Sequence, residues 1–154
     1  HWAGGDDPPI NMKGKSDIVK APISREGLLV LFRGLQQIPP SHVVLMCDAL
    51  GGAVGQVGIL DSAFAHRDAL FSIQWASFWG SSHDSESRLQ SINSLYDRMR
   101  PYMSGFSYVN YCDLDIKNFG EAYWADNFAR LQSIKAKYDP ENFFRHGQSV
   151  PVKI

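Results

Sequence analysis

The stretch ALFSIQWASFW, residues 69–79, alternates cleanly where it matters: Phe71, Ile73 and Trp75 point one way, and Ser72, Gln74 and Ala76 point the other. A period of two is that of an extended chain, so the stretch predicts a β-strand with one apolar and one polar face. After a turn rich in Gly, Ser, His and Asp the period changes, and Leu89, Ile92, Tyr96 and Met99 recur at helical spacing until Pro101 closes the run. A strand and an amphipathic helix joined by a short turn can lay their apolar faces together.

The same reading extends in both directions. Upstream, Ser24 is positioned as an N-cap, Leu28, Leu31, Phe32 and Leu35 follow at helical spacing, and Pro39-Pro40 ends the pattern. HVVLMCDAL (residues 42–50) predicts a strand, GGAVGQVG a hairpin link, and the neighbourhood of Ile59 and Leu60 a second short strand. Downstream, SYVNYC (residues 107–112) reads as extended, and Trp124, Phe128, Leu131, Ile134 and Tyr138 predict a third helix stopped at Asp139-Pro140. The order β-α-β-β-β-α-β-α, with turn-rich links between neighbouring strands, predicts an α+β fold: an antiparallel sheet with helices packed on one face.

The chain has 154 residues, enough for one domain with a real core, and a formal net charge of −1 with both signs interspersed. That charge pattern offers no footprint for nucleic acid or an anionic membrane, and no apolar run approaches the ~20 residues needed to cross a bilayer. Cys47 and Cys112 lack zinc-site spacing and read as packed thiols. GGAVGQVG has neither the spacing nor the following helix of a dinucleotide-binding loop. The opening residue is His1, no signal peptide begins the chain, and the first ten positions read as a loop or a cut end.

Specific strings carry more than periodicity does. The segment from Ser107 onward contains Tyr108-x-Asn110-Tyr111, the acidic turn at Asp113, Asn127-x-x-Arg130-Leu131, Lys135, Asp139-Pro140, Phe144 and Gln148-Ser149. It resembles the closing segment of berberine-bridge-enzyme-like FAD-linked oxidases. KGKSDIVKAPIS and AFAHRDALFSIQW resemble that family's strand before the first helix of this half and its central strand, so the resemblance runs from Met12 to Pro151. It implies that residues 12–106 are part of a substrate-binding domain and that 107–154 form a C-terminal segment returning toward an FAD domain. Residues 1–11 would be a loop or cut end. FAD, with the residues that attach it, would be held by an N-terminal domain or chain outside this sequence, which is thereby implied as a partner beside a small-molecule substrate. The isolated chain would then be inactive. Secretion is an analogy with relatives only.

Oxidising a hydroxyl-bearing carbon requires a hydride acceptor, which FAD supplies, and a base for the hydroxyl proton. The resemblance makes Tyr111 that base, with Tyr108 beside it, Ser72 and Gln74 as substrate-binding residues, and Asn110 as a cofactor contact. Strict alternation would place Tyr108 and Tyr111 on opposite faces, so the strand must twist or end at Tyr111. Where some plant members of the family carry Glu or Lys, this chain has Ser72, which cannot assist a base. His66 and Arg67 read as structural, with an Arg/Asp pair fixing a turn, and Arg130 is expected to pair with an acid. The competing reading is a stand-alone binding domain without turnover. An oxidase portion should expose aromatic residues such as Trp75, Phe78, Trp79 and Trp124 for docking, whereas a self-sufficient domain should bury them.

Overall fold

The structure, a computed structural model, describes residues 10–152. Three strands form the sheet: β1 (Asn11–Val19), β2 (Val44–Ala49) and β3 (Phe71–Trp79). They are arranged β1-β3-β2 with both pairings antiparallel. Helix α1 (Arg25–Gln37) connects β1 to β2, and α2 (Ser85–Met99) follows β3; α3 (Phe119–Trp124) and α4 (Phe128–Tyr138) lie in the C-terminal segment. The predicted α+β class is therefore the observed one.

The strand read first from the sequence is the centre of the sheet. Its apolar side, Ile73 and Trp75, joins Val19 of β1, Leu31 of α1 and Ile92, Leu95, Tyr96 and Met99 of α2 in one core. The Trp75 and Tyr96 rings meet edge to face at 6.0 Å, a preferred aromatic geometry. Helix α1 begins where expected, with Ser24 Oγ accepting from Gly27 N at 3.1 Å. It turns a different face inward, however: Gly27, Leu31 and Gly34 are buried, while Leu28 and Phe32 are exposed. The reason is close packing, because a Cβ at Gly34 would stand 2.4 Å from Leu95 Cδ1. The helix approaches α2 at Gly34, and at Gly27 it approaches Tyr102 just beyond α2, rather than through Leu28 and Phe32.

Two predicted strands do not form. GGAVGQVG makes a short 3₁₀ helix at Gly52–Gln56 instead of a hairpin, and residues 59–60 lie in a turn. Strand β2 pairs directly with β3, leaving residues 50–70 as a loop over the sheet's polar face. SYVNYC is likewise not a strand, since Val109–Tyr111 is one 3₁₀ turn. Just before it, residues 106–108 run along the outer edge of β1. Ile18 N donates to Phe106 O (3.1 Å) and Ser107 Oγ to Ser16 O (3.0 Å), while Tyr108 N donates to Ser16 Oγ (2.9 Å). An edge strand's free polar groups are thus satisfied by an irregular segment.

The predicted third helix is split at Ala125, whose φ of 43° breaks the helical path and lets Trp124 stack flat against Phe128 at 5.7 Å. Trp75, Trp79 and Trp124 are buried and Phe78 is exposed. The expectation of a docking surface built from these four therefore fails for three of them. The exposed apolar surface belongs instead to residues such as Phe143, Phe144 and Tyr138 in the C-terminal segment and Leu28 and Phe32 on α1.

Candidate active site

The register of the sheet builds the site. Ser72 of β3 lies opposite Ile18 of β1 and Asp48 of β2, and directly opposed residues share a face, so these three form one row across the sheet on the side away from α1 and α2. The 3₁₀ turn Val109–Tyr111 sits above that row. In a 3₁₀ turn residues i and i+3 eclipse, and Tyr111 N donates to Tyr108 O at 2.9 Å. Both tyrosines thereby come to one side. Their rings meet at 5.2 Å and 90°, and Phe64 from the loop meets Tyr108 at 5.9 Å and 88°. The alternation problem posed by an extended SYVNYC disappears because the segment is a turn.

Together these groups wall a cavity of about 550 Å³ whose lining includes Ile18, Asp48, Ser72, Tyr108, Asn110 and Tyr111. That volume accommodates a small organic substrate. Asn110 Nδ2 donates to the Tyr108 hydroxyl at 2.8 Å, orienting it. The Tyr111 hydroxyl donates to Asp48 Oδ2 at 3.5 Å, the long end of the hydrogen-bond range. Burial and then the charge of Asp48 push the Tyr111 phenol above its usual value. Among the described residues nothing therefore favours a tyrosinate at Tyr111; what they provide is an acceptor for its proton.

Of the predicted site residues, the fold brings Tyr108, Asn110, Tyr111 and Ser72 together. Gln74 is on the same face of β3 but further along the strand, opposite Ser16 and Met46, where it is buried rather than facing water and does not line the cavity. Asp48 was not singled out from the sequence, although a lone acid inside the apolar strand HVVLMCDAL is a signal; its cross-strand alignment with Ser72 gives that signal meaning.

Arg67 also borders the cavity, but it is occupied by Phe64 O, Val54 O and Ser62 Oγ, and so fixes the loop. The expected Arg/Asp pair is not made, because Asp68 reaches Lys20 instead at 3.1 Å. Arg130 likewise donates to Leu60 O (2.7 Å) rather than to an acid. His66 is fully buried with Nε2 3.2 Å from Tyr123 O, and burial, followed by nearby Lys20, lowers its pKa. The free thiols Cys47 and Cys112 are both exposed rather than packed. Among the described residues no His/Cys/Asp/Glu group is arranged to hold a metal, and no helix is long and apolar enough to cross a membrane.

The model for berberine and berberine-like domains matches residues 107–151, the segment that carries both tyrosines. Berberine bridge enzyme-like 6 of Arabidopsis thaliana is 35% identical over 95% of this chain and 30% of its own length. The monolignol oxidoreductase AtBBE-like 13 of the same plant is 36% identical over 92% of this chain and 29% of its own. The solved structure of Physcomitrella patens BBE-like 1 superposes with a TM-score of 0.84 at 29% identity, covering 93% of this chain and 31% of that one. The chain belongs to the berberine-bridge-enzyme-like family of FAD-linked oxidases, and it spans about a third of the length of these relatives.

Proposed function

We propose that this chain forms the substrate side of an FAD-dependent oxidoreductase that oxidises a hydroxyl-bearing small molecule, with Tyr111 as the group that receives the hydroxyl proton. The observation that carries this reading is the pairing of Tyr111 with Asp48 inside a cavity flanked by a second oriented tyrosine. The residues present fit at most the ring end of FAD: Phe64, Tyr108 and Tyr111 give the cavity aromatic walls, whereas among the described residues no glycine-rich loop opens a helix to hold phosphates, so the nucleotide end would be held outside this chain. When bound, FAD supplies the acceptor for the hydride.

Residues of this chain would manage the proton. The substrate hydroxyl proton passes to the Tyr111 oxygen as the phenolic proton passes to Asp48, so no tyrosinate ever stands beside a carboxylate. Tyr108, held by Asn110, orients a second substrate oxygen, and Ser72 offers a neutral hydrogen bond from the sheet. The rings of Phe64, Tyr108 and Tyr111 give an apolar wall for a sugar or phenylpropanoid skeleton. A monolignol alcohol is a candidate by relationship to AtBBE-like 13, and a hexose by the chemistry of the wall.

The test is anaerobic reduction of the full-length, FAD-loaded enzyme by D-glucose, cellobiose and coniferyl alcohol, followed by bleaching near 450 nm. At least one should bleach the parent, and Tyr111→Phe should slow bleaching by about 10²–10⁴-fold while leaving bound flavin unchanged. Equal rates in parent and variant would remove Tyr111 from the chemistry.

A further inference from the structure

Tyr111 lies between two fixed points, and the second is built by a residue from the far end of the chain. On one side Tyr108 N is tied to Ser16 Oγ. On the other, Asp113 N donates to the Tyr123 hydroxyl (2.9 Å), which in turn donates to Gln148 Oε1 (2.9 Å). Gln148 closes the ring: its Nε2 donates to Asp113 O at 2.8 Å and to Ile116 O at 3.2 Å. Gln148, Tyr123 and Asp113 are all buried, and the Asp113 carboxylate is also held by Lys15 at 2.8 Å. The backbone two residues beyond Tyr111 is thus clamped at both its N–H and its C=O. Only a side chain with an acceptor and a donor on one carbon can do this, which an amide provides and a carboxylate does not.

We infer that Gln148 is a positioning residue for Tyr111: through Tyr123 and the Asp113 backbone it holds the Val109–Tyr111 turn so that the Tyr111 hydroxyl stays against Asp48 in the cavity. The inference rests on the proposed role of Tyr111. It assigns to the C-terminal tail a part in the proton-transfer geometry, rather than only a return toward another domain.

The experiment uses the full-length flavoenzyme with Gln148→Met, which keeps the volume and removes every hydrogen bond, and Gln148→Glu, which keeps the acceptor for Tyr123 but sets a carboxylate against two carbonyls. Tyr123→Phe cuts the same ring elsewhere. The first readout is ultraviolet titration of the Tyr111 phenol, isolated by subtracting Tyr111→Phe. Loosening the turn withdraws the phenol from Asp48 and from its half-buried setting, so its titration should fall back toward 10 in Gln148→Met. The second readout is the rate of flavin bleaching by whichever probe alcohol reduces the parent. It should drop 10- to 100-fold in each single variant, with KM changed less than threefold, and no further in Gln148→Met/Tyr123→Phe, because one ring is broken either way.

A purely structural glutamine would lower the melting temperature and leave the phenol titration of the folded protein where it was; that result overturns the inference. If instead Tyr111→Phe keeps the parental rate, it is the proposed role of Tyr111 that fails. The titration still reads the positioning on its own.

Discussion

At the scale of single residues, the decisive feature is that Asp48 accepts from Tyr111 while raising its pKa. A carboxylate in that place cannot promote a free tyrosinate, so under the proposed function it would serve as the end of a relay. Asp48→Asn keeps the shape and removes the proton acceptor. We expect kcat/KM of the full enzyme to fall about 100-fold at pH 7 and to recover as pH rises, because Tyr111 must then ionise unaided, with the opposing charge of Asp48 gone. A pH–rate profile from 6 to 11 checks this. A second buried acid behaves differently. Asp17 is fully buried, its Oδ2 lacks a hydrogen bond, and Arg100 stands 3.9 Å away. Burial pushes its carboxyl up to about 7, with Arg100 and Gly105 N opposing the shift. A folded pKa above the unfolded one gives stability that is complete below about 4 and is lost as pH rises through about 7. Asp17→Asn, which can still accept from Gly105 N, should therefore be neutral at pH 4 and stabilise by roughly 2 kcal/mol at pH 8, read from thermal melts at both values. Among residues, Tyr108, Asn110 and Tyr111 were legible through their motif. Asp48 was not, because its importance depends on which strand lies beside Ser72.

At the scale of elements, the alternation of residues 71–76 and the helical period of 89–99 located β3 and α2 directly, since both bury a face wide enough to leave a pattern. The failures share a cause. Strands were inferred at 59–60 and 107–112 from apolar or aromatic residues whose partners turned out to be a loop and the edge of β1, and a short run does not record its partner. The inner face of α1 was misread for the opposite reason: its contact is made by glycines, which carry no hydrophobic signal. This contact makes a sharp prediction. Alanine is a better helix former than glycine by ~1 kcal/mol. Yet Gly34→Ala should destabilise by about 1–3 kcal/mol, because its Cβ meets Leu95, a side chain only 1% exposed in the core and without room to withdraw. A denaturant titration with an unchanged slope would measure it, and a gain in stability would show that α1 and α2 are not in the contact described.

At the scale of the whole molecule, the core and the surface make different demands. The helix side of the sheet is closed by α1 and α2, and the edge of β1 is covered by residues 106–108. On the other edge, among the described residues, β2 pairs with β3 alone and exposes Val44, Met46 and Cys47. A sheet edge with exposed apolar side chains and unpaired backbone groups is a template for another strand. Under the proposed function, a part of the enzyme outside this chain would supply that strand. Isolated, residues 1–154 should associate through β2 instead. Met46→Lys adds a charge to that edge without touching the core. It should weaken self-association by at least tenfold in sedimentation equilibrium, with the circular dichroism spectrum unchanged. Equal association in both proteins would move the contact to the other exposed apolar groups, Phe143 and Phe144 on the C-terminal segment. In that case Phe144→Ser, and not Met46→Lys, would be the substitution that yields a monomer.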